Sequence, residues 1–343
     1  MTEPIYAQIF CTLAELDEDL NLLGSERESR VMPKILQASD FLQKNIGWFL
    51  PVQMTRLFNG HGAQRLYVPP LLGIDAISND GTSLSGTDYV ARPQKRYWPN
   101  GPYSWLDVGP DASLLGSWAC EEDSVSITGQ WGLYDLSKSL GITLTANQSD
   151  SATSVSVSNG AAVSPGMVCL IGSEQQYVEA TGSPASVTTI TEALDSDSNL
   201  VTFADGSLLY VGEVIRIGLE QMKILDISGN QAAVVRGWNK TIRAAHADNA
   251  SVSVYRTFTV TRGVNGTTAA AHSSGASVSQ QRVPDDVNGL CRKMAARMLK
   301  DAQGGYSGVI GETLTGQAQY LYVMPKELAE IRNAYRIIHM GAA

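Results

Sequence analysis

One passage of this chain is written twice, and the order of its pieces restricts how the chain can fold. Residues 235–253 read VRGWNKTIRAAHADNASVS and residues 261–279 read TRGVNGTTAAAHSSGASVS. A shift of 26 residues lays Arg236 on Arg262, Gly237 on Gly263, Asn239 on Asn265, Thr241 on Thr267 and His246 on His272. Upstream, a second echo carries a different shift: Gly166 to Gln175 (GMVCLIGSEQ) matches Gly212 to Gln221 (GEVIRIGLEQ) at a spacing of 46. The order is therefore front, front, back, back, whereas tandem repeats would alternate. Nesting explains this most simply: a complete second β unit at 199–256 sits inside a first β unit whose halves are 153–192 and 257–282, with the interruption near Thr191 to Ser198. Two modules exchanging hairpins across a pseudo-twofold axis would give the same order, and both topologies stay open at this point.

The material around the doubled passage sorts by period. Leu13, Leu16, Leu20 and Leu23 share one helical face behind a Thr12/Glu15 capping box, and Gly24 stops the helix. A second helix starting between Ser25 and Ser29 buries Val31, Ile35, Ala38 and Leu42, with Pro33 inside it or near its start. From Pro51 short β runs take over. They include Thr55–Phe58, Gln64–Val68, Gly73–Ser78 ending in the hairpin signal Asn79-Asp80-Gly81, Thr87–Val90 and Ser124–Trp131. Trp98, Tyr103 and Trp105, in a Pro/Gly loop, are read as packing back onto their own sheet. Pro284 opens a helix with Asp285 and Asp286 in its positive first turn and Val287, Leu290, Cys291, Met294, Ala295, Met298 and Leu299 on one face. Pro325 opens a last helix.

The fold class expected is therefore α+β. Residues 1–50 and 283–343 supply N- and C-terminal helices that pack as a helical core domain. Residues 51–150 form a β-rich element, and the two related β units project between the helical ends.

Catalysis needs converging titratable groups, and few are visible. The chain has four histidines, and His246 and His272 fill the same slot in two copies of one module. Their expected role is a hydrogen bond that fixes a loop, and the arginine of the R-G-x-N element is read as reaching carbonyls or a carboxylate nearby. No phosphate-binding loop, nucleophile elbow or H-E-x-x-H motif occurs. Cys11, Cys120, Cys169 and Cys291 are scattered without a C-x-x-C pair, as expected of buried free thiols. No catalytic, cofactor or metal site is assigned, and no enzyme activity is expected. A net charge of −9 and a pI near 5.0 argue against tight nucleic-acid binding. The opening M-T-E-P lacks the features of a secretory signal, and no apolar run reaches bilayer length, so folding in a reducing cytoplasm and no membrane partner are expected.

Several pieces, in order, resemble the head-tail connector, or adaptor, proteins of long-tailed bacteriophages. They are the amphipathic N-terminal helical pair, Leu66 to Ser78 (LYVPPLLGIDAIS), Asn100 to Tyr103 (NGPY) and Ile127 to Gly132 (ITGQWG). The module ending TVTRGVNGTTAAAHSSGA, VPDDV at 283–287, and Met324-Pro325 complete the set. No single motif is diagnostic, and the doubled module departs from the simpler pattern of that family. The resemblance implies a helical core and a homo-oligomeric ring, twelve copies expected, beneath a portal protein. Such a ring joins the portal to the tail terminator or a stopper, with transient non-specific contact to DNA in its lumen. It also implies a place in the virion neck after synthesis in the host cytoplasm. The segment expected to reach the portal is 306–343, with Tyr320, Tyr322, Lys326, Leu328, Ile331, Arg332, Tyr335, Arg336 and Ile338 as candidate contacts, against the alternative that this helix packs on the chain's own core. A rival reading is a phage tail or baseplate protein whose β units bind carbohydrate on the host surface, disfavoured by their paucity of aromatics.

Overall fold

Helix α1 (Leu13–Leu20) begins where the sequence supplies its own cap. The Thr12 N–H donates to Glu15 Oε2 at 2.8 Å and the Glu15 N–H to Thr12 Oγ1 at 3.3 Å, satisfying two amides the helix leaves unpaired. Helix α2 (Arg27–Ile46) carries Pro33 inside it and buries Val31, Ile35, Ala38 and Leu42. This computed structural model describes residues 7–20, 27–94, 102–112, 116–303, 309–312, 318–320 and 325–335.

Six strands follow: β1 (Val52–Phe58), β2 (Arg65–Asn79), β3 (Thr82–Ser83), β4 (Tyr89–Arg92), β5 (Tyr103–Val108) and β6 (Val125–Trp131). They form one antiparallel sheet in the order β1-β6-β2-β5-β4, with β3 closing a hairpin on β2. That hairpin turns at Asp80 (φ 50°) and Gly81 (φ 74°), the positive dihedrals that Asn-Asp-Gly supplies at low steric cost. The runs at 64–68 and 73–78 are one strand that passes through Pro69 and Pro70. The prolines offer no N–H to the ladder, and the register against β5 slips between Tyr67 and Leu71. Trp118, Trp131, Leu106 and Ile127 fill the core of this sheet. Trp105 and Tyr103 lie in β5 as half-buried strand residues, while Trp98 lies outside the described residues.

Next come β7 (Leu136–Thr143), β8 (Ser154–Ser156), β9 (Val168–Ile171) and β10 (Glu174–Thr181). They are followed by β11 (Ala185–Thr189), β12 (Leu200–Thr202), β13 (Val214–Ile217), β14 (Glu220–Ser228), β15 (Gln231–Val235) and β16 (Ser251–Val254). Then β17 (Thr257–Thr261) and β18 (Ser277–Arg282) return to the first set. The second sheet is ordered β7-β18-β9-β10-β17-β8 and the third β11-β16-β13-β14-β15-β12. Replacing each strand of one by its counterpart at the 46- or 26-residue shift reproduces the other, position by position. All of the third sheet lies between β10 and β17, which pair with each other. The interruption falls at Gly182 to Pro184, not at 191–198, because β11 pairs with β16 in the inserted sheet. The first unit likewise begins earlier than residue 153, since β7 pairs with β18. Each sheet has its own apolar core, with Phe203, Ile215 and Ile217 in the inserted unit and Phe258, Val178 and Ile171 in the outer one. Glu213 spans the join: Arg256 Nε donates to its Oε1 at 2.7 Å and the Gly160 N–H to the same oxygen at 3.0 Å.

Helix α3 (Asp285–Gln303), strands β19 (Val309–Glu312) and β20 (Ala318–Tyr320), and helix α4 (Pro325–Ala334) complete the described chain. The expected helical core domain does not form. The protein is mostly β, with three six-stranded antiparallel sheets, and its described α-helices number four and reach at most 20 residues. The apolar faces of α1, α2 and α3 do meet, yet the core they share also takes Leu50, Leu133, Val168, Val264 and Val283 from outside the helices. Helical stripes declare that a face must be buried but not what buries it, and here strands and loops do much of that work.

The outer β unit is thereby fixed to the rest of the chain. Val264 is 0% exposed in the shared core, and the Ala7 N–H donates to Asn265 Oδ1 at 2.8 Å. Gln175 Nε2 donates to the Pro51 carbonyl at 2.9 Å. Gly266 (φ 74°) lies against β1 so closely that an added Cβ would sit 1.9 Å from the Gln53 carbonyl oxygen. Its counterpart in the inserted unit, Lys240 (φ 61°), is exposed. Gly266→Ala is therefore expected to destabilise the protein by about 2 kcal/mol or more, whereas Lys240→Gly should change stability by less than about 1 kcal/mol. Urea unfolding of both variants checks the contrast, and equal effects would contradict the docking.

Candidate functional site

The two duplicated motifs converge on one carboxylate per unit. In the inserted unit, Glu220 opens β14 and is reached by a loop that leaves β15 at Arg236 and re-enters the sheet at β16. The turn Gly237 to Lys240 places Gly237 (φ 64°) and Asn239 (φ 55°) in the left-handed region, where Gly and Asn pay least. Arg236, just before this bend, turns its side chain toward Glu220 on the neighbouring strand β14. Arg236 Nε and Nη2 donate to Glu220 Oε1 and Oε2, both at 2.7 Å, with both side chains 0% exposed. The same carboxylate accepts the Gly237 N–H at 3.0 Å, the Ala244 N–H at 3.1 Å and His246 Nε2 at 2.9 Å. A carboxylate only accepts, so Nε2 of His246 carries the hydrogen. The remaining guanidinium hydrogens go to the carbonyls of Asp195, Ser198 and Ala244, at 2.8, 2.8 and 2.7 Å.

The outer unit repeats the arrangement atom for atom. Arg262 Nε and Nη2 donate to Glu174 at 2.6 and 2.7 Å, His272 Nε2 lies 2.7 Å from Oε2, and the Gly263 and Ala270 N–H groups donate at 3.1 and 3.2 Å. Ser149, Ala152 and Ala270 carbonyls take the other guanidinium hydrogens. Beside each carboxylate an amide ladder continues the lock. Asn239 Nδ2 donates to Gln221 Oε1 and Asn265 Nδ2 to Gln175 Oε1, both at 2.7 Å, and the Gln221 and Gln175 N–H groups reach Thr241 and Thr267 hydroxyls at 2.9 and 3.0 Å. Every element of the R-G-x-N-x-T-x-x-A-x-H passage thus has a partner in the E-Q pair.

Burial by itself would raise the Glu220 carboxyl. Hydrogen bonds from Arg236, His246, Ala244 and Gly237 outweigh it and bring its pKa down to about 2. The same opposition, burial against Arg262, His272 and Ala270, holds Glu174 below the usual carboxylate range. With its lone pairs consumed and its charge pinned, neither carboxylate is placed to exchange a proton with a substrate. These constellations close loops. The sequence located both arginines and both histidines and read them as structural, but it did not assign their carboxylate. Glu174 and Glu220 stood in the upstream echo, which supplied the missing signal.

Three of the four thiols are buried. Cys11 and Cys291 Sγ lie 3.4 Å apart, and Ser39 Oγ is 3.4 Å from Cys291 Sγ. The contact with Cys291 and then burial raise the Cys11 thiol, and burial pushes Cys169 up to about 12. Cys120 departs from the expectation of buried thiols, being exposed. No cluster of His, Cys, Asp and Glu suited to a metal ion occurs among the described residues.

The candidate portal contacts divide. Leu328, Ile331 and Tyr335 pack on the chain's own core, where the Tyr335 ring meets Phe49 at 5.0 Å and its hydroxyl donates to Asp286 at 2.6 Å. Lys326 and Arg332 are exposed on α4. Tyr320 lies in β20, and Tyr322, Arg336 and Ile338 lie outside the described residues.

Glu220→Gln strands a buried guanidinium without its countercharge, and a loss of about 3–5 kcal/mol is expected. Denaturant unfolding should become two-step as the inserted unit opens first. The pH dependence has a fixed sign. The unfolded carboxyl, with its ordinary pKa of 4.5, binds a proton more readily than the folded one. The stabilisation is therefore complete above about pH 4.5 and is lost as pH falls through about 2. Glu220→Gln should flatten that stretch of a stability-against-pH curve, measured by circular dichroism. Comparison with protein-family models, with curated proteins and with solved structures finds no match for this chain.

Proposed function

We propose that this chain is a structural component of a virion, a head-tail adaptor that assembles as a homo-oligomeric ring between the portal and the tail or a stopper and lets DNA pass through its lumen. The observation that carries a structural rather than a chemical role is the engagement of the paired Glu-Arg-His clusters. They hold the most concentrated reactive chemistry among the described residues, and their carboxylate oxygens, guanidinium nitrogens and imidazole Nε2 atoms are bound to backbone or to one another. The ordered resemblance running from the N-terminal helical pair to Met324-Pro325 supports the adaptor assignment within that class. A net charge of −9 suits a channel wall past which phosphate must slide without sticking.

In this reading the portal contact belongs to the C-terminal segment. Lys326 and Arg332, exposed on α4, are assigned to the portal contact together with Tyr320, Tyr322, Arg336 and Ile338, while Leu328, Ile331 and Tyr335 hold α4 to the core. The ring occupies the virion neck and the chain is made in the host cytoplasm.

Electron microscopy of the purified chain mixed with portal rings tests the assignment. A coaxial ring seated on the portal is the expected result, and persistent monomers that ignore the portal would overturn it. Lys326→Glu with Arg332→Glu should reduce portal attachment at least about tenfold without lowering stability, since both positions are exposed. Attachment at the wild-type level would remove α4 from the interface.

A further inference from the structure

The two β units share a fold, and the face that the outer one uses to hold a peptide segment carries no such segment among the described residues of the inserted one, where the Tyr255 hydroxyl accepts from Gln221 Nε2 at 3.0 Å. On the outer unit, Asn265 brackets one residue of an extended segment: its Oδ1 accepts the Ala7 N–H at 2.8 Å and its Nδ2 donates to the Ala7 carbonyl at 3.3 Å. Val264 beside it is buried in the core shared with the helices, and Val168 and Tyr177 on the same sheet face pack there too. The contact reads backbone, and the Ala7 side chain itself enters the shared core.

The equivalent of Asn265 is Asn239. Its Nδ2 keeps the bond to Gln221, as in the outer unit, but its Oδ1 is shielded from water and has no hydrogen-bond partner among the described residues. Trp238, where the outer unit has Val264, also buries an unpaired Nε1. Each is a standing cost, relieved by a polar group that displaces the side chains covering it. Two flanking side chains stand in solvent, Leu219 at 84% and Ile242 at 86% exposure. Meanwhile Leu170, Tyr177, Gly266 and Ala269 of the outer unit are replaced by Arg216, Lys223, Lys240 and Arg243. Arg216 pairs across the ladder with Gln221 and donates through Nε to the Gly218 carbonyl at 2.7 Å, Lys223 Nζ lies 4.8 Å from the Trp238 ring centroid, and Lys240 and Arg243 are exposed on the loop that carries Asn239. These cations occur in a chain whose net charge is −9.

We propose that this face of the inserted unit is a docking site for an extended acidic polypeptide segment of a partner protein. Asn239 takes the backbone N–H and C=O of one residue, as Asn265 takes those of Ala7, and Lys223, Lys240, Arg243 and Arg216 meet the carboxylates on either side. The extended strand is specified by the backbone bracket and the acidity by the substitutions that separate the two units. The site does not depend on the adaptor assignment.

The test uses the full-length chain and a fluorescein-labelled synthetic peptide of alternating Ala and Asp, read by fluorescence anisotropy. An Ala/Lys peptide and an oligothymidylate of matching length serve as comparisons. Saturable binding of the acidic peptide is expected, with loss of at least about tenfold in affinity on Asn239→Gly, which keeps the left-handed turn, and on Lys240→Gly with Arg243→Ala, which install the residues of the outer unit. N-methylation along the peptide backbone should abolish binding while leaving its charge unchanged. Circular dichroism of both variants shows that they fold. Failure of the acidic peptide to bind, equal binding by the variants or by the N-methylated peptide, or tighter binding of the oligothymidylate would each overturn the proposal. Self-association of the chain that both variants abolish would also overturn it, by assigning the face to a second copy.

Discussion

A buried carboxylate at the start of a strand determines how each β unit of this protein closes. After β15 or β17 the chain makes a long excursion with little regular structure before re-entering the sheet, and such a loop carries backbone groups that need partners. Glu220 and Glu174 supply them. Each binds a guanidinium on two prongs, two loop amides and an imidazole, and the guanidinium in turn fixes carbonyls from a segment some forty or one hundred residues away in sequence, such as Ser198 for Arg236 and Ser149 for Arg262. Buried ion pairs contribute less to stability than their Coulomb attraction suggests, because two ions must first leave water. Their effect here is one of specification: with either partner absent, several donors and acceptors are orphaned together, so only one course of the loop satisfies all of them.

Duplication followed by divergence explains why two near-identical locks serve different surroundings. The outer unit carries small or apolar residues on the turn, and these sink into the helices and β1: Val264 enters the shared core and Gly266 leaves room for the Gln53 carbonyl. The inserted unit carries Trp238 and Lys240 at the same positions and stands on the far side of the join made by Glu213 and Arg256. The conserved interior and the exchanged exterior separate two physical roles within one short passage. Arg, Gly, Asn, Thr and His maintain the loop, and the residues between them decide what the loop touches.

Much of this was legible in the sequence, and the parts that were not share a cause. The Thr12/Glu15 cap, the buried stripe of α2, the Asn79-Asp80-Gly81 hairpin and the helix after Pro284 are local signals, and the chain obeys them. The order of the echoes pointed to a unit within a unit, yet the ends of the units were misplaced. β7 was assigned to the preceding β-rich element and β11 to the outer unit, since neither strand lies within an echo and only its pairing, with β18 and with β16, shows where it belongs. The helical core domain failed for a related reason. Amphipathic stripes on α1, α2 and α3 cannot name their partners, and loops from the β units fill the places expected for other helices. The partner of each arginine lies 16 or 88 residues upstream, a separation that only the duplication makes visible.

If the two carboxylates hold these loops, the amides they bind are among the last to open. Native-state hydrogen exchange at the Gly237, Ala244, Gly263 and Ala270 N–H groups measures this directly. The account predicts that all four exchange as slowly as the strand amides of their own sheet, opening only when that sheet unfolds. Fast exchange at these positions, at rates typical of exposed loops, would contradict it.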